Sequence, residues 1–179
     1  IGPFLMNYTT KKEKYFDNAE KANEIFKKIF VNVENPVNKI KTTISKCFPH
    51  YKITETKENQ RNYATCTIRR HENGKSIPLH KDNVRYEGVE YEVSKINSQI
   101  SCILHLQETE KGGNLSIYNK RWEKKLEKYR EIEFGYNPSI KQNILMDTIE
   151  SKSGDLVIIN PNYLHEVKKI QGNSDRITL

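Results

Sequence analysis

The chain changes character at Pro49, and this change limits the folds that the sequence can adopt. Before it, apolar residues recur at three- and four-residue steps across 11–30, and again across 37–47 after Pro36. That spacing predicts two amphipathic helices, the second of which ends before Pro49. After it come short runs of β-forming residues that are separated by Gly and Asn. The sequence therefore predicts an α+β fold in which two N-terminal helices precede an antiparallel β domain.

The second part of the chain contains five predicted strands and one long insertion. A chain of 179 residues, about a third of them hydrophobic, is long enough for one compact domain with a core. We therefore predict a single domain, in which 1–49 is a helical support and 50–179 is the β core, with the insertion at about 120–150. Leu179 is an abrupt end for a strand, which leaves room for a continuation of the protein. The predicted strands are 62–70, 99–106, 114–118, 155–160 and 176–179.

Composition argues against several classes of protein. The longest apolar runs, such as 156–159, are far shorter than the roughly 20 residues of a membrane span, and no signal segment opens the chain, so we expect a soluble protein. Cys47, Cys66 and Cys102 are widely spaced and form no C-x-x-C pair, which favours a reduced, cytoplasmic protein. The net charge of +7 is spread among 23 acidic residues. Nucleic-acid binding is therefore a weak hypothesis, and the charge suits anionic co-substrates.

Three residues form a candidate metal site. Ile77-Pro78-Leu79 leads as a strand into His80, and Asp82 follows two residues later. Positions i and i+2 of a strand point to the same face, so the pair can present an imidazole and a carboxylate to one ion. His165 follows a strand and a turn, and is the best third ligand. Two histidines and one carboxylate leave coordination positions open, as Fe(II) oxygenases need, although zinc sites use the same ligand types.

A candidate anion site follows the third ligand. Arg176 comes eleven residues after His165, and Thr178 shares its face if this segment is a strand. A guanidinium can hold a carboxylate through two hydrogen bonds, and a neighbouring hydroxyl can add a third. This pattern favours a dicarboxylate co-substrate.

The order of these motifs resembles that of a known superfamily. The segments that carry the resemblance lie between Tyr63 and Leu179, and are His80-x-Asp82, Gly112-Gly113, Gly154-Asp155-Leu156, His165-x-Val167 and Arg176-x-Thr178. They are similar to those of the double-stranded β-helix oxygenases that use iron and 2-oxoglutarate, particularly the prolyl-4-hydroxylase-like branch. The resemblance implies a jelly-roll, cupin-like core, with the N-terminal helices packed on one sheet. It also implies Fe(II), 2-oxoglutarate and O₂ as the cofactor set.

A second resemblance narrows the expected reaction. The segments 113–122 and 134–136 resemble free-standing amino-acid hydroxylases and halogenases that act on lysine-type substrates. Halogenases of that group replace the carboxylate ligand with a small residue, so that halide can bind the iron. This chain has Asp82 at that position. The resemblance therefore implies hydroxylation of an unactivated C–H bond in a small substrate, and the expected substrate is a free amino acid.

Four further residues are candidates for the site, each with a simpler alternative. His105 lies on a predicted strand and could face the co-substrate, but a histidine in an apolar run is as often a core residue. Either Arg69 or its neighbour could point inward and hold a substrate carboxylate, or both could be solvated edge charges. Tyr118 and Tyr136 are candidate substrate contacts whose alternative role is core packing.

Three other functions remain open at this stage. A peptide or protein prolyl or lysyl hydroxylase would need an open groove, and the insertion does not decide this. The same scaffold can also serve a non-redox metal-binding, cupin-like protein, because a fold does not determine a function. Such a protein does not need Arg176 and Thr178. A nucleic-acid demethylase is disfavoured because no cluster of base-stacking aromatic residues stands out.

Overall fold

The computed structural model describes residues 1–132 and 134–179, and the chain divides into two compact units. The first unit contains 1–68 and 84–96, and the second contains 69–83 and 97–179. The boundaries differ from the predicted division at residue 50, because 50–68 and 84–96 belong to the same unit as the N-terminal helices. Whether the two units act as the single domain that the sequence predicts stays a prediction.

Both predicted N-terminal helices are confirmed. Helix α1 spans Lys12–Ile29 and buries the apolar face that the spacing indicated. Helix α2 spans Pro36–Cys47; the Asn35 side chain accepts a hydrogen bond from the Val37 amide at 2.9 Å and thereby caps the helix. Pro36 occupies the first helical turn, where its missing N–H costs nothing. A short helix α3 spans Val84–Glu87.

Aromatic side chains form the core of the first unit. Tyr15 and Phe16 of α1 pack with Tyr63 and Tyr91, and their ring centroids lie 5.0–6.3 Å apart. Two very short strands, β1 (Lys57–Glu58) and β2 (Arg61–Asn62), pair nearby. Within this unit α1 packs against β2. The predicted packing of the helices on a large sheet stays a prediction.

The second unit consists of two four-stranded antiparallel sheets. The first sheet has the order β3-β10-β5-β8 and the second has the order β4-β9-β6-β7. Mixed α and β structure with antiparallel sheets is therefore confirmed. The strands are β3 (Arg69–His71), β4 (Ile77–His80), β5 (Ser101–Gln107), β6 (Leu115–Arg121), β7 (Met146–Ile149), β8 (Leu156–Ile159), β9 (Tyr163–Val167) and β10 (Arg176–Thr178).

The second unit has two apolar cores, one on each side of the second sheet. One core joins side chains of both sheets, including Ile159 of β8 with Leu115 of β6 and Val167 of β9. The other core lies on the opposite face of the second sheet. There Leu79, Tyr118 and Leu164 pack against side chains of the 122–145 segment, namely Trp122, Leu126, Tyr136, Ile140 and Ile144.

Four of the five predicted strands are confirmed, one is wrong, and two observed strands, β7 and β9, were not predicted. The predicted strand 62–70 is wrong, because pairing occurs only at its two ends, in β2 and β3. Strand β9 was interpreted as a turn followed by a ligand, and β7 as part of the insertion. The irregular part of the insertion is therefore 122–145, which contains two short 3₁₀ helices. Within the described residues, no helix is long and apolar enough to cross a membrane.

Candidate metal centre and co-substrate site

The three predicted metal ligands lie together in the second unit. His80 ends β4 and is the direct cross-strand partner of His165 on β9. Their ring centroids are 4.1 Å apart, and Asp82 Oδ2 is 3.9 Å from His165 Nε2. One ligand atom from each of the three residues lies within 4.8 Å of the others. Two imidazoles and one carboxylate at this spacing fit a divalent ion with open positions, as in Fe(II) oxygenases.

Backbone groups orient all three candidate ligands. The Nδ1 atoms of His80 and His165 each lie 2.8 Å from the carbonyl oxygen two residues earlier, of Pro78 and Tyr163. A carbonyl oxygen only accepts hydrogen bonds, so Nδ1 carries the hydrogen in both rings and Nε2 is left for a metal. The Asp82 amide donates to the Pro161 carbonyl at 2.9 Å, which fixes the residue just beyond the end of β4.

The electrostatics of His165 suit a metal ligand. Burial, and then the adjacent His80 ring, lower the pKa of His165 to about 4, although Asp82 opposes the shift. The ring is therefore neutral at pH 7, and Nε2 does not have to lose a proton before it binds a metal. This agreement between tautomer, burial and protonation supports the fit of the three residues to an ion.

The predicted co-substrate residues form a polar group on the first sheet. Arg176 pairs with His71 across the sheet, and Thr178 pairs with both Arg69 and His105. Direct cross-strand partners share a face, and so do positions i and i+2, so all five side chains point to the same side. Arg176, Thr178 and His105 are buried, with exposed fractions of 3%, 5% and 2%. The pairing brings these three residues together, and their binding of a co-substrate stays a prediction.

Arg69 is the inward member of its pair of arginines. Its side chain is half-buried, whereas Arg70 is exposed and pairs with Asp175 at 2.6 Å. Burial lowers the pKa of Arg69, and the negative charge of Asp82 opposes that shift. Burial likewise lowers the pKa of Arg176, which Glu108 opposes. Two guanidinium groups thus face the same interior, one of them under the influence of a candidate metal ligand.

Tyr118 and Tyr136 lie elsewhere. Tyr118 follows Ile117, which is the cross-strand partner of His165, so Tyr118 points to the opposite face of the second sheet. Its hydroxyl donates to Glu166 at 2.7 Å. Tyr136 is 3% exposed in the same outer core and donates to Glu127. The structure does not bring either tyrosine to the triad, and core packing, the alternative reading, describes their surroundings.

Two residues near the site were not among the candidate site residues, although Phe134 lies in a segment that carries the second resemblance. Phe134 lies edge-on to the His80 ring at a centroid distance of 6.0 Å and is 44% exposed. Glu108 contacts His105 Nδ1 and lies 4.0 Å from Arg176 Nε. No periodic signal marks either residue, because both lie outside regular strands. A carboxylate three residues after a buried histidine was the only hint available for Glu108.

The fold, the triad and the buried guanidinium define the class to which the protein belongs, the Fe(II)- and 2-oxoglutarate-dependent oxygenase superfamily. The profile of one family of this class, described as carrier-protein-independent halogenase WelO5, matches residues 1–179. The chain belongs to that family. Its cofactor set is Fe(II), 2-oxoglutarate and O₂. No curated protein sequence matches the chain.

Two solved structures have a fold similar to that of this chain. One similar chain is a novel N-substituted L-amino acid dioxygenase from Burkholderia ambifaria AMMD, with a TM-score of 0.63, 16% identity and coverage of 97% of this chain and 68% of that one. A second structure of that name, in complex with alpha-KG, gives a TM-score of 0.60, 15% identity and coverage of 99% and 70%. At such identity the likeness establishes the fold alone.

Proposed function

We propose that this protein hydroxylates an unactivated C–H bond of a free amino acid, with Fe(II), 2-oxoglutarate and O₂. The observation that carries the proposal is the convergence of His80, Asp82 and His165 beside an interior that contains Arg176. The N-substituted L-amino acids named for the similar dioxygenase support the choice of an amino acid as substrate.

The proposed scaffold is a double-stranded β-helix. The eight strands β3 to β10 divide equally between two sheets, whose strand orders are β3-β10-β5-β8 and β4-β9-β6-β7. Strands at the same place in the two orders are consecutive in the chain: β3 with β4, β10 with β9, β5 with β6, and β8 with β7. This winding is what a jelly roll requires, and it supports an interior between the sheets in which the triad and Arg176 face one another.

The proposed roles follow from the direction of each side chain. His80, Asp82 and His165 would hold the iron on one face of its coordination sphere, which leaves positions for the co-substrate and O₂. Arg176, Thr178 and His105 would bind the distal carboxylate of 2-oxoglutarate. When bound, the iron and its co-substrate supply the oxidising chemistry, with release of succinate and CO₂ and transfer of one oxygen atom to the substrate. The protein's part is to position the reactants and exclude side reactions.

Arg69 is the proposed anchor for the amino acid. Its guanidinium points to the same side of the sheet as Arg176, and the charge of Asp82 opposes the lowering of its pKa by burial. A carboxylate bound to Arg69 would therefore lie near the metal. A bidentate pair with the substrate carboxylate would fix which C–H bond faces the iron. Phe134, edge-on to His80, would cover part of the bound substrate.

Halogenation is the second candidate function, because the family to which the chain belongs is named after a halogenase. Halide binding at iron needs the position that a carboxylate ligand occupies. Asp82 lies within 4.8 Å of both histidine ligand atoms, as a third protein ligand would. This supports hydroxylation as the outcome for this chain.

An anaerobic titration followed by product analysis tests the proposal. The protein is loaded with Fe(II) and 2-oxoglutarate, and the charge-transfer band between iron and the keto acid is followed while a panel of free amino acids is added. After O₂ is admitted, succinate and the mass of the amino-acid product are measured with chloride present. We expect one amino acid to perturb the band, stimulate succinate formation and gain one oxygen atom.

Three outcomes would contradict parts of the proposal. Formation of a chlorinated product would establish the halogenase outcome instead. Turnover that is stimulated by a peptide, but by no free amino acid, would favour the peptide hydroxylase. Absence of the charge-transfer band in the wild-type protein would remove the assigned site, and His80→Ala serves as the negative control for that band.

A further inference from the structure

Glu108 links two of the residues that are proposed to bind the co-substrate. Its carboxylate accepts a hydrogen bond from His105 Nδ1, and its second oxygen lies 4.0 Å from Arg176 Nε. Its side chain is 22% exposed, so the group is partly shielded from water. A carboxylate that hydrogen-bonds a buried imidazole and lies within ion-pair distance of a buried guanidinium affects the direction in which each of them points.

The other ring nitrogen of His105 faces the interior without a partner. His105 is 2% exposed, and its Nε2 has no hydrogen-bond partner within 1–132 and 134–179. Buried polar atoms in native proteins are almost always satisfied, so such an atom points to a ligand. Thr178 is the cross-strand partner of His105, and Arg176 lies two residues before it on the same face. The unpartnered nitrogen therefore belongs to the group that would bind the distal carboxylate.

The backbone around Glu108 is held in place. The Thr109 hydroxyl donates to the Gln171 carbonyl at 2.9 Å, and the backbones of Lys111 and Gln171 exchange hydrogen bonds at 3.1 and 2.8 Å. Gly112 then approaches Lys169 so closely that a β-carbon there would lie 2.0 Å from the Lys169 carbonyl oxygen. The segment that carries Glu108 is thus anchored on both sides, and its carboxylate is pre-organised.

We propose that Glu108 is a positioning residue for 2-oxoglutarate, which fixes the His105 ring and the Arg176 guanidinium so that both meet the distal carboxylate. In the proposed complex both ring nitrogens of His105 carry a hydrogen: Glu108 accepts from Nδ1–H, and the distal carboxylate accepts from Nε2–H. The contact of Glu108 with Arg176 is at Nε, and a bidentate pair with a carboxylate can form on the two terminal nitrogens. The proposal rests on the function proposed above.

The test compares two keto acids that bind iron in the same way. Dissociation constants for 2-oxoglutarate and for 2-oxopentanoate, which lacks the distal carboxylate, are measured from the charge-transfer band with Fe(II) under anaerobic conditions. Glu108→Ala should weaken 2-oxoglutarate binding by about tenfold or more, as loss of an orienting partner does. The dissociation constant of 2-oxopentanoate should stay unchanged. Glu108→Gln, which can still accept from Nδ1, should recover most of that loss.

Glu110→Ala is the matched control, because Glu110 is an exposed acid of the same segment. It should leave both constants unchanged. Tighter binding of 2-oxoglutarate by Glu108→Ala would mean that Glu108 competes with the co-substrate for Arg176, and would overturn the proposal. An equal loss for both keto acids would also overturn it, since a general structural defect would explain that result. Failure of the wild-type protein to give the band would instead remove the proposed function.

Discussion

At the scale of single residues, Asp82 is the residue that favours hydroxylation over halogenation in this chain. Asp82→Gly removes one of the three proposed metal ligands and a negative charge that acts on Arg69. We expect hydroxylation to fall by more than about 100-fold, above the loss that is typical when only an outer partner of a ligand is removed. The measurement is the rate of succinate formation together with the mass of the amino-acid product.

Asp82→Glu is the control, because it keeps a carboxylate at the same place in the chain. Hydroxylation that survives in Asp82→Gly at the wild-type rate would show that Asp82 is not a ligand. A chlorinated product from the variant in chloride would agree with the proposal, since it would show that halide fills the position that Asp82 occupies.

A second residue-scale prediction concerns Arg176. Arg176→Ala removes the buried guanidinium on β10, and with it the proposed bidentate, charge-assisted contact to the distal carboxylate. We expect the dissociation constant of 2-oxoglutarate to rise about 100-fold, while Fe(II) affinity stays nearly unchanged. Both constants are measured by anaerobic titration. An unchanged affinity for 2-oxoglutarate would remove the main support for the co-substrate site.

Two pairs of candidate residues could be predicted from the sequence because strand geometry relates the members of each pair, whereas His165 depended on its place after a strand and a turn. His80 and Asp82 are two residues apart at a strand end, and Arg176 and Thr178 are two apart on β10. Glu108 could not be predicted, because its contact to His105 forms only where the chain leaves β5 and turns back. That turn depends on tertiary contacts, and spacing does not encode it.

At the scale of elements, the 122–145 segment is fixed to the second sheet by an ion-pair cluster. Lys141 lies 2.8 Å from both oxygens of Glu166 on β9, and Lys168 and Tyr118 also donate to Oε1 of that carboxylate. Burial raises the pKa of Glu166, but these hydrogen bonds outweigh it and lower the pKa to about 2. Glu166→Gln should lower the free energy of unfolding by roughly 1–3 kcal/mol at pH 7, measured by urea denaturation.

The pH dependence follows from the sign of that shift. The folded pKa of Glu166 is below its ordinary value of 4.5, so the wild-type stabilisation is complete above pH 4.5 and is lost as pH falls through 2. The difference between wild type and variant should therefore shrink between pH 7 and pH 3. Glu123→Gln, which removes an exposed pair with Lys125, is the control. An equal difference at both pH values would contradict the ion-pair explanation.

The turn between β5 and β6 supports another element-scale prediction. Gly113 has φ +70°, and a β-carbon there would lie 3.1 Å from Arg176 Cδ and 2.9 Å from Thr109 Cγ2. Gly74 has φ +82°, but a β-carbon there would meet no described atom within 4 Å. Both Gly→Ala variants should lose about 1–2 kcal/mol through backbone strain. Only Gly113→Ala should also weaken 2-oxoglutarate binding, and equal binding by the two variants would contradict this account.

Strand β9 shows why element boundaries were harder to predict than ligands. Tyr163–Val167 directly follows Pro161-Asn162, and that pair was read as a turn that swings His165 back to the sheet. The strand is buried on both faces, with Leu164 in the outer core and His165 in the interior. A strand of this kind lacks the alternation of polar and apolar residues by which half-buried strands are recognised.

At the scale of the whole molecule, the path of the chain argues for cooperative folding. The chain passes between the two units at three places, after residues 68, 83 and 96, and the middle crossing comes directly after the segment that carries His80 and Asp82. A unit composed of separated segments cannot complete its packing until each of them is in place. The single-domain prediction therefore has a definite consequence for unfolding.

We expect one unfolding transition, seen equally by two probes. Helices α1 and α2 of the first unit dominate the far-ultraviolet circular dichroism, whereas the single tryptophan, Trp122, reports on the second unit. Fe(II) and 2-oxoglutarate at about 100 times their dissociation constants stabilise a folded protein by about 2.7 kcal/mol, and should shift both curves together under anaerobic conditions. Curves that separate, with only the fluorescence transition shifted by the ligands, would show that the first unit folds independently and that the single-domain prediction is wrong.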